Sequence, residues 1–214
     1  GDSMSKSVYS IVLSDDVVRE VDREAYANGL SRSAMINRLL AEAVSYVTPE
    51  MRMREIFGQV ESLLTGGGVF QTLLQPSESM MSLRSALSYK YNPTVRYSVE
   101  LDPAAPGEGT LRVSLRSQSS ALLLYLGQFF KLWSRIETHY AGPQDSLLED
   151  GRFARRFRLP QGLGEKEQGA VLAAYIRAMH AGMKGFFNHL DDGRLAAASV
   201  EQAYQDYLKQ YPAL

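Results

Sequence analysis

The feature that most constrains the fold is a strand–helix–helix pattern at residues 6–48. Residues 7–13 alternate between two faces in a β-branched and aromatic run that is typical of a strand. One face holds Tyr9, Ile11 and Leu13, and the other holds Val8, Ser10 and Val12. A single short strand is not stable alone, so we expect it to pair antiparallel with the same strand of a second copy. The pattern therefore predicts an obligate homodimer.

Two capped helices are expected after this strand. Ser14 has the position and chemistry of an N-cap for a helix that runs to about Asn28. Gly29 can end that helix in a left-handed conformation, and Ser31 can cap a second helix that reaches Val47. One strand and two short helices cannot enclose a core, which again favours a dimer.

The segments Tyr-Ser-Ile-Val-Leu-Ser-Asp at 9–15 and Gly-Leu-Ser-Arg-Ser-Ala-Met-Ile at 29–36 resemble the ribbon-helix-helix DNA-binding family of the Arc, MetJ and CopG type. The resemblance covers about a fifth of the chain. It implies paired strands in the major groove and a phosphate at the N-terminus of the second helix. The implied base contacts are Lys6, Val8, Ser10 and Val12, and the implied phosphate contacts are Ser31, Arg32 and Ser33.

Two features favour a different use of the same segment. Family members usually present long polar or basic side chains to the groove, whereas Val8 and Val12 can neither donate nor accept a hydrogen bond. Residues 1–65 also hold seven basic and ten acidic residues, a net charge of −3, where a basic surface is typical of DNA binding. The alternative is an antitoxin-like or other protein-interaction module in which the strands only dimerise.

The composition is that of an ordinary globular protein. The 214 residues are 45% hydrophobic and 22% charged, with a net charge of −1. Cysteine is absent, which excludes disulfides and thiolate metal ligands and fits a cytoplasmic location. No apolar run approaches the roughly 18 residues that a membrane span requires, so we expect no membrane partner.

A helical connector is expected over residues 49–91. Pro49 is a favourable first residue for a helix that runs to about Leu64. The glycines Gly66–Gly68 then predict a hinge, since no strand precedes them and no Gly-Lys-Ser/Thr follows, as a phosphate-binding loop would need. Residues 69–91 are ambiguous, and the spacing of their leucines together with a helix-start pattern at 76–78 favours helix.

An α+β domain of unknown role, in sensing, oligomerisation or partner docking, is expected over residues 92–214. Residues 94–101 and 111–115 alternate with period two around a Pro/Gly-rich turn, which predicts an antiparallel hairpin. A third strand is expected at 153–159. Helices are expected after Ser119, from Glu165 to Leu190 and from Ser199 to Gln210. The fold class is thus α+β, with a ribbon-helix-helix head and a small antiparallel sheet covered on one side by helices.

Arginines recur on the predicted strands, at Arg96, Arg112, Arg116, Arg152, Arg155, Arg156 and Arg158. If the strands pair, Arg112, Arg156 and Arg158 lie on one sheet face, where guanidinium groups can bind a carboxylate or phosphate of a small effector. The same face would serve equally as a solvated surface or a docking site for a protein partner.

Catalytic and metal-binding patterns are absent from the sequence. His180 and His189 are half a turn out of phase on one predicted helix, and no nucleophile motif or carboxylate pair stands out. We therefore expect no enzyme, metal or cofactor. The leading hypothesis is a homodimeric transcriptional regulator, such as a repressor, that binds double-stranded DNA as a dimer or tetramer.

Overall fold

The computed structural model describes residues 6–75 and 77–214. The chain divides into two compact units, Gly1–Arg52 and Met53–Leu214, here called the N-terminal and C-terminal units. The α+β class is confirmed. In the described part of the chain, no helix is both long and apolar enough to cross a membrane.

Three helices open the chain as the caps predict. They are α1 (Asp15–Ala27), α2 (Arg32–Ala43) and α3 (Pro49–Thr65). The Ser14 hydroxyl accepts a hydrogen bond from the Val17 amide at 3.4 Å, and the Ser31 hydroxyl accepts one from the Ala34 amide at 3.2 Å. Gly29, with φ 65°, ends α1 in the left-handed conformation that glycine adopts without strain.

Helix α2 ends four residues before Val47, where the sequence pattern placed its end. Ser45 has φ 55°, and the Tyr46 amide donates to the Ala41 carbonyl oxygen at 2.8 Å. This hydrogen-bond pattern is a Schellman motif, which satisfies the carbonyls of the last turn. The apolar periodicity continues past Ala43, but the backbone does not follow it.

The predicted strand at residues 7–13 does not form in the single chain. No strand is present between residues 6 and 14, and all of these residues are exposed. A strand exists only where a second strand accepts and donates its backbone hydrogen bonds, and the described residues of one chain provide no such partner here. The N-terminal unit of one chain therefore has two helices and the start of a third, but no ribbon.

The C-terminal unit is built on a six-stranded antiparallel sheet with the strand order β1-β2-β3-β4-β6-β5. Its strands are β1 (Gln71–Thr72), β2 (Met80–Ala86), β3 (Thr94–Leu101), β4 (Glu108–Leu115), β5 (Ser146–Glu149) and β6 (Arg152–Arg158). The predicted hairpin is β3–β4 and the predicted third strand is β6. The sheet is larger than predicted because β1, β2 and β5 join it.

The helical interpretation of residues 69–91 is wrong. These residues contribute β1 and β2, and β2 pairs with β3 along its whole length. The leucines Leu83 and Leu87 are four residues apart, a spacing that fits a strand face as well as a helix face. Gly66–Gly68 lie inside the C-terminal unit, in the turn between α3 and β1, and the predicted helix start at Pro76 falls on a residue outside the described ranges.

Three helices follow in the C-terminal unit, α4 (Ser120–Ala141), α5 (Glu165–Asn188) and α6 (Gly193–Gln210). Ser119 caps α4 as predicted. Helix α6 begins six residues earlier than predicted because Asp192 caps it, accepting from the Leu195 amide at 3.1 Å. The inward face of the sheet packs on these helices: the rings of Phe130 and Phe153 stack 4.7 Å apart. The side chains on the opposite face are mostly polar, as the alternating burial along β3, β4 and β6 shows.

A buried hydrogen-bond network links α5 to the sheet through His180. The Ser85 hydroxyl donates to the Val69 carbonyl at 2.6 Å, so its oxygen can accept from Nε2 of His180 at 3.0 Å. Nδ1 of His180 is then free to accept from the Tyr97 hydroxyl at 2.7 Å. Every donor in this hydrogen-bond network has an acceptor when the imidazole is neutral.

Stability is expected to fall as the pH drops through the titration range of His180. Burial, with a smaller contribution from the charge of Lys184, lowers the pKa of His180 to about 4. Between about pH 6.5 and 4 the unfolded chain binds the proton more readily, so the free energy of unfolding decreases by about 3 kcal/mol at the acidic end. Trp133 is the only tryptophan, and its fluorescence in denaturant titrations at pH 4 and 7.5 measures this difference.

The His180→Gln variant is the control, because glutamine does not titrate. Its unfolding free energy is expected to depend less on pH than that of the natural chain, although it is lower at pH 7.5. An equal pH dependence in the two proteins would contradict the assignment.

Candidate functional site

The residues predicted to face the DNA groove are open to solvent. Val8 and Val12 are 99% and 100% exposed, and Ser10 is exposed as well. Lys6 donates from Nζ to Glu50 Oε1 at 3.2 Å. The structure of one chain does not bring the predicted base contacts together into a ribbon.

The predicted phosphate-binding turn is formed and exposed. Ser31, Arg32 and Ser33 all lie on the surface at the start of α2. The backbone amides of the first turn of a helix have no intrahelical acceptor, so those of Arg32 and Ser33 are available to an anion. The turn thus has the geometry that the sequence predicts.

The side chain of Arg32, however, is already paired. Its Nε and Nη2 donate to the two carboxylate oxygens of Asp22 at 2.8 and 2.7 Å. Hydrogen bonding to Arg32 lowers the pKa of Asp22 below its usual value. The pair joins α1 to the start of α2. To contact a phosphate, the Arg32 guanidinium must give up one or both of its hydrogen bonds to Asp22.

Most of the apolar surface of the N-terminal unit is uncovered. Its core consists of Val21, Ala25 and Met35, with Leu30 and Ile36 packed against them. Large apolar side chains that stay exposed are Val8, Tyr9, Ile11, Val12, Leu13, Val17, Tyr26, Leu39, Leu40, Val44, Tyr46 and Val47. Leu40, Val44 and Tyr46 also line an open, mostly apolar hollow of about 480 Å³. A patch of this kind marks an interaction surface.

The three arginines predicted to share a sheet face do share it, and each faces an acidic partner. Arg112 Nη1 donates to Glu100 Oε2 at 2.8 Å. Arg158 is paired with Glu108, and Arg156 lies 3.9 Å from a carboxylate oxygen of Asp145. Arg112 and Arg156 line one hollow of about 430 Å³, of which Arg158 is not part. Their charge is largely matched by these carboxylates.

Three more of the arginines predicted on the strands, Arg96, Arg116 and Arg152, form a second cluster, which the sequence did not distinguish from the first. Arg96 on β3 and Arg152 on β6 flank Ser114 on β4, because Ser114 is the register partner of each. Arg116 directly follows Leu115, the last residue of β4. With Arg112 they line a hollow of about 840 Å³. The period-two pattern gives the face of each residue, but strand order and register come only from the folded sheet.

A charged pair inside the core was also missed. Glu137 on α4 and Arg155 on β6 are almost completely buried, and Arg155 Nε donates to Glu137 Oε1 at 2.8 Å. Arg155 Nη2 also donates to the Leu214 carbonyl oxygen at 2.5 Å. The sequence signal was present, since Glu137 follows Trp133 by one turn and Arg155 lies between two inward phenylalanines.

Residues 6–75 and 77–214 contain no group of three or more His, Asp or Glu side chains that could hold a metal ion. Comparisons of the chain with protein-family models, curated proteins and solved structures returned no match. The functional argument therefore depends on residues and geometry alone.

Proposed function

We propose that the chain is a homodimeric DNA-binding transcriptional regulator in which residues 7–13 of two copies pair as an antiparallel ribbon. The observation that most supports this is the apolar surface left uncovered in the N-terminal unit. A second copy would cover Ile11 and Leu13, supply the missing strand partner and enlarge a core of three residues.

The DNA contacts in this proposal come from two exposed elements. The outer face of the ribbon presents Lys6, Val8, Ser10 and Val12 to the major groove, where Ser10 can hydrogen-bond to a base edge and valine can contact a thymine methyl group. The start of α2 presents two backbone amides and the Ser33 hydroxyl to a phosphate. Few base contacts per dimer favour binding of two dimers side by side on a tandem or palindromic site.

The Ser33→Asp variant is expected to lose DNA affinity by at least about tenfold while remaining folded. A carboxylate in the first turn stabilises the helix through its dipole, yet it repels a phosphate at the same place. Fluorescence anisotropy with duplex DNA from upstream of the protein's own gene, at about 50 and 200 mM salt, measures the change.

The matched control is Ser33→Asn, which is similar in size to aspartate and uncharged. It should bind close to the level of the natural chain, with affinity that falls as salt rises. Absence of binding by the natural chain at the lower salt concentration, or equal losses in the two variants, would contradict the proposal.

A second candidate is a protein-interaction module that uses the same ribbon only to dimerise. The Asp22–Arg32 pair favours it, because the guanidinium is committed within the chain, as do the two groove-facing valines. Sedimentation equilibrium combined with the anisotropy titration separates the candidates: a stable dimer without DNA affinity supports the interaction module.

A further inference from the structure

The outer face of the sheet has a cross-shaped arrangement of arginines around Ser114. Across the strands, Arg96 and Arg152 are the direct register partners of Ser114, one on each side. Arg112 lies two residues before Ser114 on β4 and on the same face, and Arg116, which follows the last residue of β4, lines the same hollow. Neighbouring strands are about 4.8 Å apart and alternate residues about 6.8 Å apart, so four flexible guanidinium groups can reach one point above Ser114.

Three of these arginines lack a carboxylate partner. Arg112 is paired with Glu100, whereas Arg96 donates only to the Ser82 hydroxyl at 3.3 Å. Within the described residues, Arg116 and Arg152 have no ion pair and no side-chain hydrogen bond. Glu149, the register partner of Arg152 on β5, and Asp150 line the same hollow. With Arg112 matched by Glu100, three arginines face two carboxylates, and the hollow keeps a net charge of +1.

The shape of this surface suits a small ligand. The hollow of about 840 Å³ lies within the range of about 300–1,000 Å³ that is typical of small-molecule sites. Its floor is low because Ser98, Ser114 and Ala154 are small, and Leu123 and Leu147 form an apolar side. Carboxylates at Glu100, Glu108 and Glu149 limit the positive region, which disfavours a long phosphate backbone.

We propose that this hollow binds a small phosphate-bearing anion, held by Arg96, Arg116 and Arg152 above Ser114. A tetrahedral phosphate accepts charge-assisted hydrogen bonds from several directions, as arginines from two strands and the end of a third would supply. Serine hydroxyls can donate to the same oxygens. The site lies in the C-terminal unit and does not depend on the DNA-binding proposal.

Isothermal titration of the full chain with inorganic phosphate and with phenyl phosphate, at ionic strength matched with sodium chloride, tests the site. We expect saturable binding that weakens at least about tenfold in Arg152→Gln and in Arg96→Gln, because each loses a charge-assisted hydrogen bond. Tighter binding of phenyl phosphate indicates an organic phosphate that uses the side of Leu123 and Leu147. Equal affinities indicate free phosphate.

Arg84→Gln is the matched control. Arg84 lies on the same face, in the row of Arg96, but it donates to Gln71 at 3.0 Å and does not line the hollow. The affinity of Arg84→Gln for phosphate should stay within about twofold of that of the natural chain, because this change also removes one positive charge but does so outside the site. The proposal is overturned if neither phosphate saturates the protein, if Arg84→Gln and Arg152→Gln lose affinity equally, or if only duplex DNA binds in a way that depends on Arg152.

Discussion

Replacing Glu137 with leucine is expected to lower the free energy of unfolding of the C-terminal unit by about 3–5 kcal/mol. The substitution removes the carboxylate that lies 2.8 Å from Arg155 Nε and leaves an uncompensated guanidinium inside the core. Burial raises the pKa of Glu137, and the charge of Arg155 opposes this, so each group depends on the other for its charged form. Guanidinium chloride titration followed by Trp133 fluorescence measures the loss.

The double variant Glu137→Leu/Arg155→Met separates the cost of burying charge from the cost of losing packing. Apolar residues of similar volume often replace a buried ion pair without loss, so the double variant should recover most of the stability. Recovery should be incomplete, because Arg155 also donates to the Leu214 carbonyl and stacks 5.1 Å above the ring of Tyr175. A double variant as unstable as Glu137→Leu would show that packing, not charge, dominates.

For the buried Glu137–Arg155 pair, the sequence predicts the strand face of Arg155 but not its partner. Arg155 lies on the same face as Phe153 and Phe157, and alternation along one strand, which is a local property, suffices to place it there. Its partner on α4 is 18 residues away, and only the packing of α4 on the sheet brings the two together. A charge within an apolar stripe indicates that a partner exists but does not identify it.

The starts of three helices were predictable from their serine caps, whereas the start of α6 at the Asp192 cap was not. Ser14, Ser31 and Ser119 each accept a hydrogen bond from a first-turn amide, as their positions predict. Strand β2 was mistaken for helix because its apolar spacing fits either period, and β5 was missed because it has only four residues. Pairing with β3 and β6 decides both cases, and pairing is not local.

The arginine-rich face shows the same limit at a functional level. Of the seven arginines on the predicted strands, Arg112, Arg156 and Arg158 were predicted as the candidate site, and each of them lies close to a carboxylate. Arg96, Arg116 and Arg152, which form no ion pair within the described residues, lie around Ser114, a serine that carries no signal of its own. Strand order and register, which bring β3, β4 and β6 side by side, create this cluster.

The Ile11→Glu variant is expected to dissociate the proposed dimer, raising its dissociation constant by at least about a hundredfold. In an antiparallel ribbon about a two-fold axis, each dimer buries two copies of Ile11, and each buried isoleucine contributes about 1.5–3 kcal/mol. Glutamate loses that burial and brings two negative charges close together. Sedimentation equilibrium over a range of protein concentrations measures the change.

The neighbouring substitution, Val12→Glu, tests the alternation directly. Successive side chains of a strand point to opposite faces, so Val12 should face the DNA and its variant should remain dimeric while losing DNA affinity. If the Val12→Glu dimer dissociates while the Ile11→Glu dimer stays intact, the assignment of the two strand faces is reversed. Equal dissociation by both variants would mean that residues 7–13 do not pair as a strand, and a monomeric natural chain would remove the basis for the ribbon altogether.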